Sequence, residues 1–111
     1  MSEIEIAFIG GSGLYKIPNL KNAKWIDVSS NFGKPSSMIR VGSLNGKNIA
    51  FLPRHGLNHN ISPSKINYRG NIDALKKINV QNIISISAVG SLREDFRPGD
   101  FVLVDQLIDK T

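Results

Sequence analysis

The sequence predicts an α/β fold built around a partly parallel β-sheet, and three observations carry that reading. Apolar runs at residues 4–9, 49–52 and 83–86 have the length of strands, and each ends in a short polar loop. Runs such as 83–86 and 101–104 are apolar on both faces, as strands covered from both sides are. Tyr68, Ile72, Leu75 and Ile78 recur at spacings of four, three and three, the period of one helical face.

The elements follow in order. Residues 3–9 form the first strand and residues 10–18 a loop-rich stretch. Residues 24–28 make a short strand, since Trp25, Ile26 and Val28 are β-formers. Gly33 and Pro35 mark a turn cluster over residues 31–37. Residues 37–43 and 47–52 pair as a hairpin about Asn45-Gly46, a type I′ turn signal. Residues 56–64 are a polar loop. Ser62 or Ser64, flanking Pro63, starts the helix. Gly70 weakens its interior by about 1 kcal/mol relative to alanine, so a close packing contact is expected there. Residues 82–86 and 101–104 are further strands, the second preceded by a Pro98-Gly99-Asp100 turn. Five or six strands against one helix leave sheet surface uncovered, and the last strand runs into residues 108–111 without a cap. The expectation is that residues 1–111 are the N-terminal part of a single larger domain whose remainder is absent.

Composition bounds the function. No apolar stretch approaches the roughly 18 residues of a membrane span. Met1-Ser2-Glu3 is acidic and leads into a strand-length apolar run, unlike a signal peptide. The chain has no cysteine, which excludes disulfides, thiolate metal sites and a thiol nucleophile. A cytoplasmic protein is expected. The net charge of +5 favours anionic partners. Lys16, Lys21, Lys24, Lys34, Lys47 and Lys76-Lys77 are nevertheless dispersed, and no RNA-stacking motif or zinc finger occurs. Neither nucleic acid nor membrane is the expected partner.

In open α/β sheets ligands sit beyond the carboxyl ends of the strands. Three such ends, side by side, would gather Gly10-Gly11-Ser12-Gly13, Arg54-His55-Gly56 and Ser87-Ala88-Val89-Gly90-Ser91. Hydroxyls, a guanidinium, an imidazole and glycine-freed N–H groups suit a phosphate. Residues 10–13 read either as a tight strand exit or as an anion nest. They are not a P-loop, since no Gly-Lys-Ser/Thr follows, and Lys16 stands where a dinucleotide fingerprint needs its third glycine. Arg54-His55 reads as a phosphate clamp or as a surface arginine beside a structural histidine. His55 and His59 lack a nearby Glu or Cys for a metal site. Ser87 and Ser91 lack the G-x-S-x-G elbow of hydrolases. Arg93, Glu94 and Asp95 read as local ion pairs or loop anchors.

The strings Ile9-Gly-Gly-Ser-Gly-Leu14, Phe32-Gly-Lys-Pro-Ser36, Arg54-His-Gly56, Pro63-Ser-Lys-Ile-Asn-Tyr68, Gly90-Ser-Leu-Arg-Glu94, Pro98-Gly-Asp100 and Asp105-Gln-Leu-Ile-Asp109 together resemble the methylthioadenosine phosphorylases, a branch of the purine nucleoside phosphorylase superfamily. The resemblance implies a three-layer α/β fold with a central mixed β-sheet, here truncated, and a homotrimer. It also implies phosphorolysis of 5′-methylthioadenosine to adenine and 5-methylthioribose 1-phosphate in methionine and purine salvage. Inorganic phosphate would be co-substrate, with no cofactor or metal. The positions matching the family's phosphate site are Ser12, Arg54, His55, Ser87 and Ala88, the last through its backbone. Relatives often carry Thr at positions 12 and 87, Cys at 89 and Ala at 70. The family's base-assisting carboxylate, purine pocket and methylthio pocket lie later in the chain, with help from a neighbouring subunit, so no catalytic residue is expected here. Another purine nucleoside phosphorylase of the same fold remains an alternative, because base choice is set downstream. So does a non-catalytic phosphate- or nucleic-acid-binding fragment.

Overall fold

The computed structural model describes residues 3–11 and 18–110. Its strands are β1 (Ile4–Gly10), β2 (Lys21–Ile26), β3 (Ile39–Leu44), β4 (Lys47–Pro53) and β5 (Val80–Ser85). They form one mixed sheet in the order β2-β3-β4-β1-β5. β3 runs antiparallel to both β2 and β4, whereas β1 is parallel to both β4 and β5. Asn45 and Gly46 both take positive φ, 52° and 80°, so the β3–β4 hairpin turns as its sequence predicts. β2 begins three residues before its expected start. Left-handed Asn22 (φ 55°) lies in a register irregularity between Lys21 and Lys24, which hides the strand's alternation.

Register puts two apolar sets back to back. Ala7 and Ile9 of β1 lie beside Ala50 and Leu52 of β4. These four join Ile39 and the helix α1 (Tyr68–Lys77) in the main core, together with Ile78. On the other face Phe8 stacks on Phe51, ring centroids 5.2 Å apart.

The helix sits differently from its expected pose. Its buried residues are Gly70, Asn71, Ala74 and Leu75, whereas Tyr68 and Ile72 are exposed. A polar residue, Asn71, and the small Ala74 occupy the core side. Counting only large apolar residues therefore rotates the inferred face. The start also differs: Asn67, not Ser62 or Ser64, caps α1, its side-chain oxygen accepting from the Gly70 N–H at 3.0 Å. Ser62 precedes a separate 3₁₀ turn, Pro63–Lys65, and makes no side-chain cap bond. Extended Ile66 (ψ 131°) interrupts the two and buries its side chain. The tight contact expected at Gly70 is present: a Cβ there would run into the Asn67 amide.

That amide also fastens a loop. Asn67 Nδ2 donates to the carbonyls of Phe32 and Lys34, both at 3.0 Å. Asn71 accepts from the Ser36 N–H at 2.8 Å and donates to its hydroxyl at 3.0 Å. Ser30 donates to Asp73 at 2.9 Å and the Asn31 N–H does so at 3.2 Å. The turn cluster over residues 31–37 is thus pinned along the helix by three polar side chains.

The Ser30 hydroxyl, with help from the Asn31 N–H and Lys77, holds the Asp73 carboxyl below its ordinary value, outweighing desolvation, which acts the other way. A carboxylate lowered on folding adds stability above its unfolded value, and that contribution is lost as pH falls through the folded one. Asp73→Asn is therefore expected to cost most at neutral pH. The gap in urea midpoint between wild type and variant should close on acidification, and a gap constant down to acid pH would contradict this.

Two expected strands are corrected. β5 spans Val80–Ser85 at a sheet edge, and its Ile83 and Ile84 are 40% and 43% exposed rather than covered on both faces. Residues 101–104 form no strand: among the described residues no neighbouring strand takes their backbone hydrogen bonds, so they run as irregular chain, and Phe101 and Leu103 are exposed. The turn before them is as expected, with Gly99 at φ 93° and the Asp100 N–H bonded to the Arg97 carbonyl at 3.0 Å. Among the described residues no helix is long and apolar enough to cross a membrane.

Candidate functional site

The parallel pairing of β4, β1 and β5 brings their carboxyl ends together. Gly10 lies opposite Pro53, and Ile9 opposite Ser85. The ladder continues past the strands: the Arg54 N–H donates to the Gly10 carbonyl at 3.1 Å, and the Ile86 N–H to the Ile9 carbonyl at 2.8 Å. All three loops singled out in the sequence therefore leave the sheet from one edge.

Arg54 ties the exits together through its side chain. Nη1 donates to the Ile86 carbonyl at 2.6 Å, crossing above β1 from the β4 end to the β5 end. Nε donates to His55 Nε2 at 3.3 Å. Nη2 faces the β1 exit, 3.9 Å from where a Cβ on Gly11 would stand. Both Arg54 and His55 are half-buried.

His55 is held twice by Ile61. Its backbone carbonyl accepts from the Ile61 N–H at 3.1 Å, and its Nδ1 lies 2.9 Å from the Ile61 carbonyl. A carbonyl only accepts, so Nδ1 carries the proton and Nε2 presents the lone pair that Arg54 uses. Gly56, at φ 81°, closes the turn with an N–H bond to the Pro53 carbonyl at 3.2 Å. A side chain there would meet Asn60, so Arg54-His55-Gly56 needs its glycine. The His59 ring stacks on His55, centroids 5.4 Å apart. Among the described residues no group of three or more His, Cys, Asp or Glu is arranged to hold a metal ion.

Of the expected site residues, Arg54 and His55 stand at the centre of this edge. Ser87 and Ala88 follow Ile86 directly and are exposed. Ser12 lies outside the described residues. Arg93 forms a local pair with Asp95, its Nε donating at 2.9 Å, and among the described residues Ser91 bonds within its own turn. Sequence reasoning missed the two backbone acceptors, Ile86 and Ile61. Neither has a residue-type signal, because any residue offers a carbonyl.

The model of the Phosphorylase superfamily matches residues 5–111. The chain belongs to that superfamily. Among curated relatives, S-methyl-5′-thioadenosine phosphorylase of Hyperthermus butylicus is 58% identical over 107 residues, which is 96% of this chain and 39% of the relative. The enzyme of the same name from Thermofilum pendens is 52% identical over all 111 residues and 42% of its own length. Among solved structures, a methylthioadenosine phosphorylase sourced from an antarctic soil metagenomic library superposes with a TM-score of 0.83 at 47% identity, covering 88% of this chain and 34% of that one. This superfamily chain thus spans about two-fifths of the length of the curated relatives it matches. Its mixed sheet and helix are the α/β arrangement expected.

Proposed function

We propose that this chain is the N-terminal, phosphate-binding part of a single-domain nucleoside phosphorylase acting on 5′-methylthioadenosine. The observation that supports this most is the single strand-end edge on which Arg54 joins three parallel exits while keeping part of its guanidinium uncommitted. In the proposed reaction a phosphate oxygen forms a bond to C1′ of the nucleoside. The C1′–N9 bond breaks with its electron pair leaving on adenine, which takes up a proton, and 5-methylthioribose 1-phosphate is the other product. No covalent enzyme intermediate is required, so the chain contributes positioning and charge.

In this reading Arg54 grips the phosphate through its outer N–H groups, the hydroxyls of Ser12 and Ser87 and the Ala88 N–H complete the cradle, and His55 supports it. The purine pocket and the carboxylate that assists the departing base come from the remainder of the domain, with a neighbouring subunit of a homotrimer contributing. The exposed apolar side chains of β5 and of residues 86–110, Phe101 and Leu103 among them, support a covering partner on that side. The specificity test is a comparison of 5′-methylthioadenosine with inosine, both with phosphate, using the intact enzyme. A clear preference for methylthioadenosine is expected. Preference for inosine would assign the chain to another branch of the same superfamily.

A further inference from the structure

We propose that His55 is a positioning residue that acts through Arg54: fixed by Ile61 in the neutral Nδ1–H form, it holds Arg54 by Nε and aims the far end of the guanidinium at the anion. The proposal rests on the phosphate-site reading above and adds a division of labour within Arg54-His55.

Donor accounting carries the argument. A guanidinium has five N–H groups. Here the Nε–H goes to His55 and one Nη1–H goes to the Ile86 carbonyl. Among the described residues no acceptor takes the other three, one on Nη1 and two on Nη2, and Nη2 is the nitrogen beside Gly11. Arg54 therefore meets an anion end-on through Nη1 and Nη2, not side-on through Nε and Nη2. The His55 ring cannot shift its proton to Nε2 without losing the 2.9 Å bond to the Ile61 carbonyl. With the proton on Nε2, a donor would face the Arg54 Nε–H, and the clamp would lose its brace. Bracing Arg54 and donating to phosphate from Nε2 are thus mutually exclusive. The His59 ring stacked on His55 further confines the imidazole plane.

A double-mutant cycle on phosphate KM in the intact enzyme separates the two roles. In His55→Asn the amide nitrogen stands near Nδ1 and keeps the Ile61 bond, but nothing occupies the place of Nε2. This variant should raise phosphate KM roughly tenfold with kcat changed far less. Arg54→Lys keeps the charge but has no Nε–H, so adding His55→Asn in that background should change KM by less than about twofold. The same factor in both backgrounds would mean that His55 acts on phosphate itself and would overturn the proposal. A second readout needs no turnover: nitrogen-15 spectra of the phosphate-free protein should show His55 with a protonated Nδ1 and a bare Nε2. A protonated Nε2 would overturn the proposal even if the phosphorylase reading holds. Absence of phosphate-dependent turnover would overturn that reading while the spectrum still decides the state of His55.

Discussion

Arg54→Ala should raise the phosphate KM of the intact enzyme by about 30- to 150-fold, the equivalent of roughly 2–3 kcal/mol for the loss of charge-assisted hydrogen bonds. The nucleoside KM should move far less, because in the proposed site the guanidinium serves the anion and not the base. Part of the loss is structural. Alanine leaves the Ile86 carbonyl and the His55 Nε2 without the donors they now have at 2.6 Å and 3.3 Å. Arg54→Lys separates the two contributions: it restores a charge at the strand edge but not the fork that spans it. It should recover part of the phosphate affinity and leave the rest missing. An unchanged phosphate KM in Arg54→Ala would remove Arg54 from the site.

The largest effect expected on stability is at Asn71, which is 2% exposed. Its side chain closes a two-bond ring with Ser36, one bond to the backbone N–H and one to the hydroxyl. Asn71→Leu removes both and leaves the Ser36 N–H without its acceptor, at a cost of about 2–3 kcal/mol. Ser36→Ala keeps the backbone bond and should cost only about 1 kcal/mol. Urea unfolding of each variant checks the order. Equal losses, or no loss in Asn71→Leu, would mean that the loop over residues 31–37 is not held through this pair. Because the loop also hangs on Asn67 and Asp73, the lost bonds should not detach it altogether.

These two residues also mark what the sequence discloses and what it hides. Arg54 is legible because it sits immediately after an apolar strand, and strand ends of α/β sheets are where ligands collect. The three strands, the Asn45-Gly46 hairpin and the mixed sheet were readable for similar local reasons: apolar run length and turn chemistry act over a few residues. Asn71 was not legible. A polar residue facing the core breaks the apolar periodicity that locates a helix face, and its partner, Ser36, lies 35 residues away. Asn67 combines both cases. Its residue type favours an N-cap, yet Pro63 drew the expected start three to five residues too early. The strand expected at residues 101–104 failed for a different reason. Apolar composition supplies a candidate, but a strand exists only where a neighbour accepts its hydrogen bonds. The bond from Arg54 to the Ile86 carbonyl is tertiary, since it depends on how the loops from β4 and β5 meet above β1.

The central claim is that the strand-end edge holds phosphate as the attacking group. Phosphorus-31 spectra, recorded while the intact enzyme releases adenine from 5′-methylthioadenosine in the presence of inorganic phosphate, test it most directly. The account predicts that a sugar 1-phosphate signal grows in step with adenine and that the inorganic phosphate signal falls by the same amount. Adenine released with the inorganic phosphate signal unchanged would mean that water attacks C1′, and that the edge centred on Arg54 does not deliver the nucleophile.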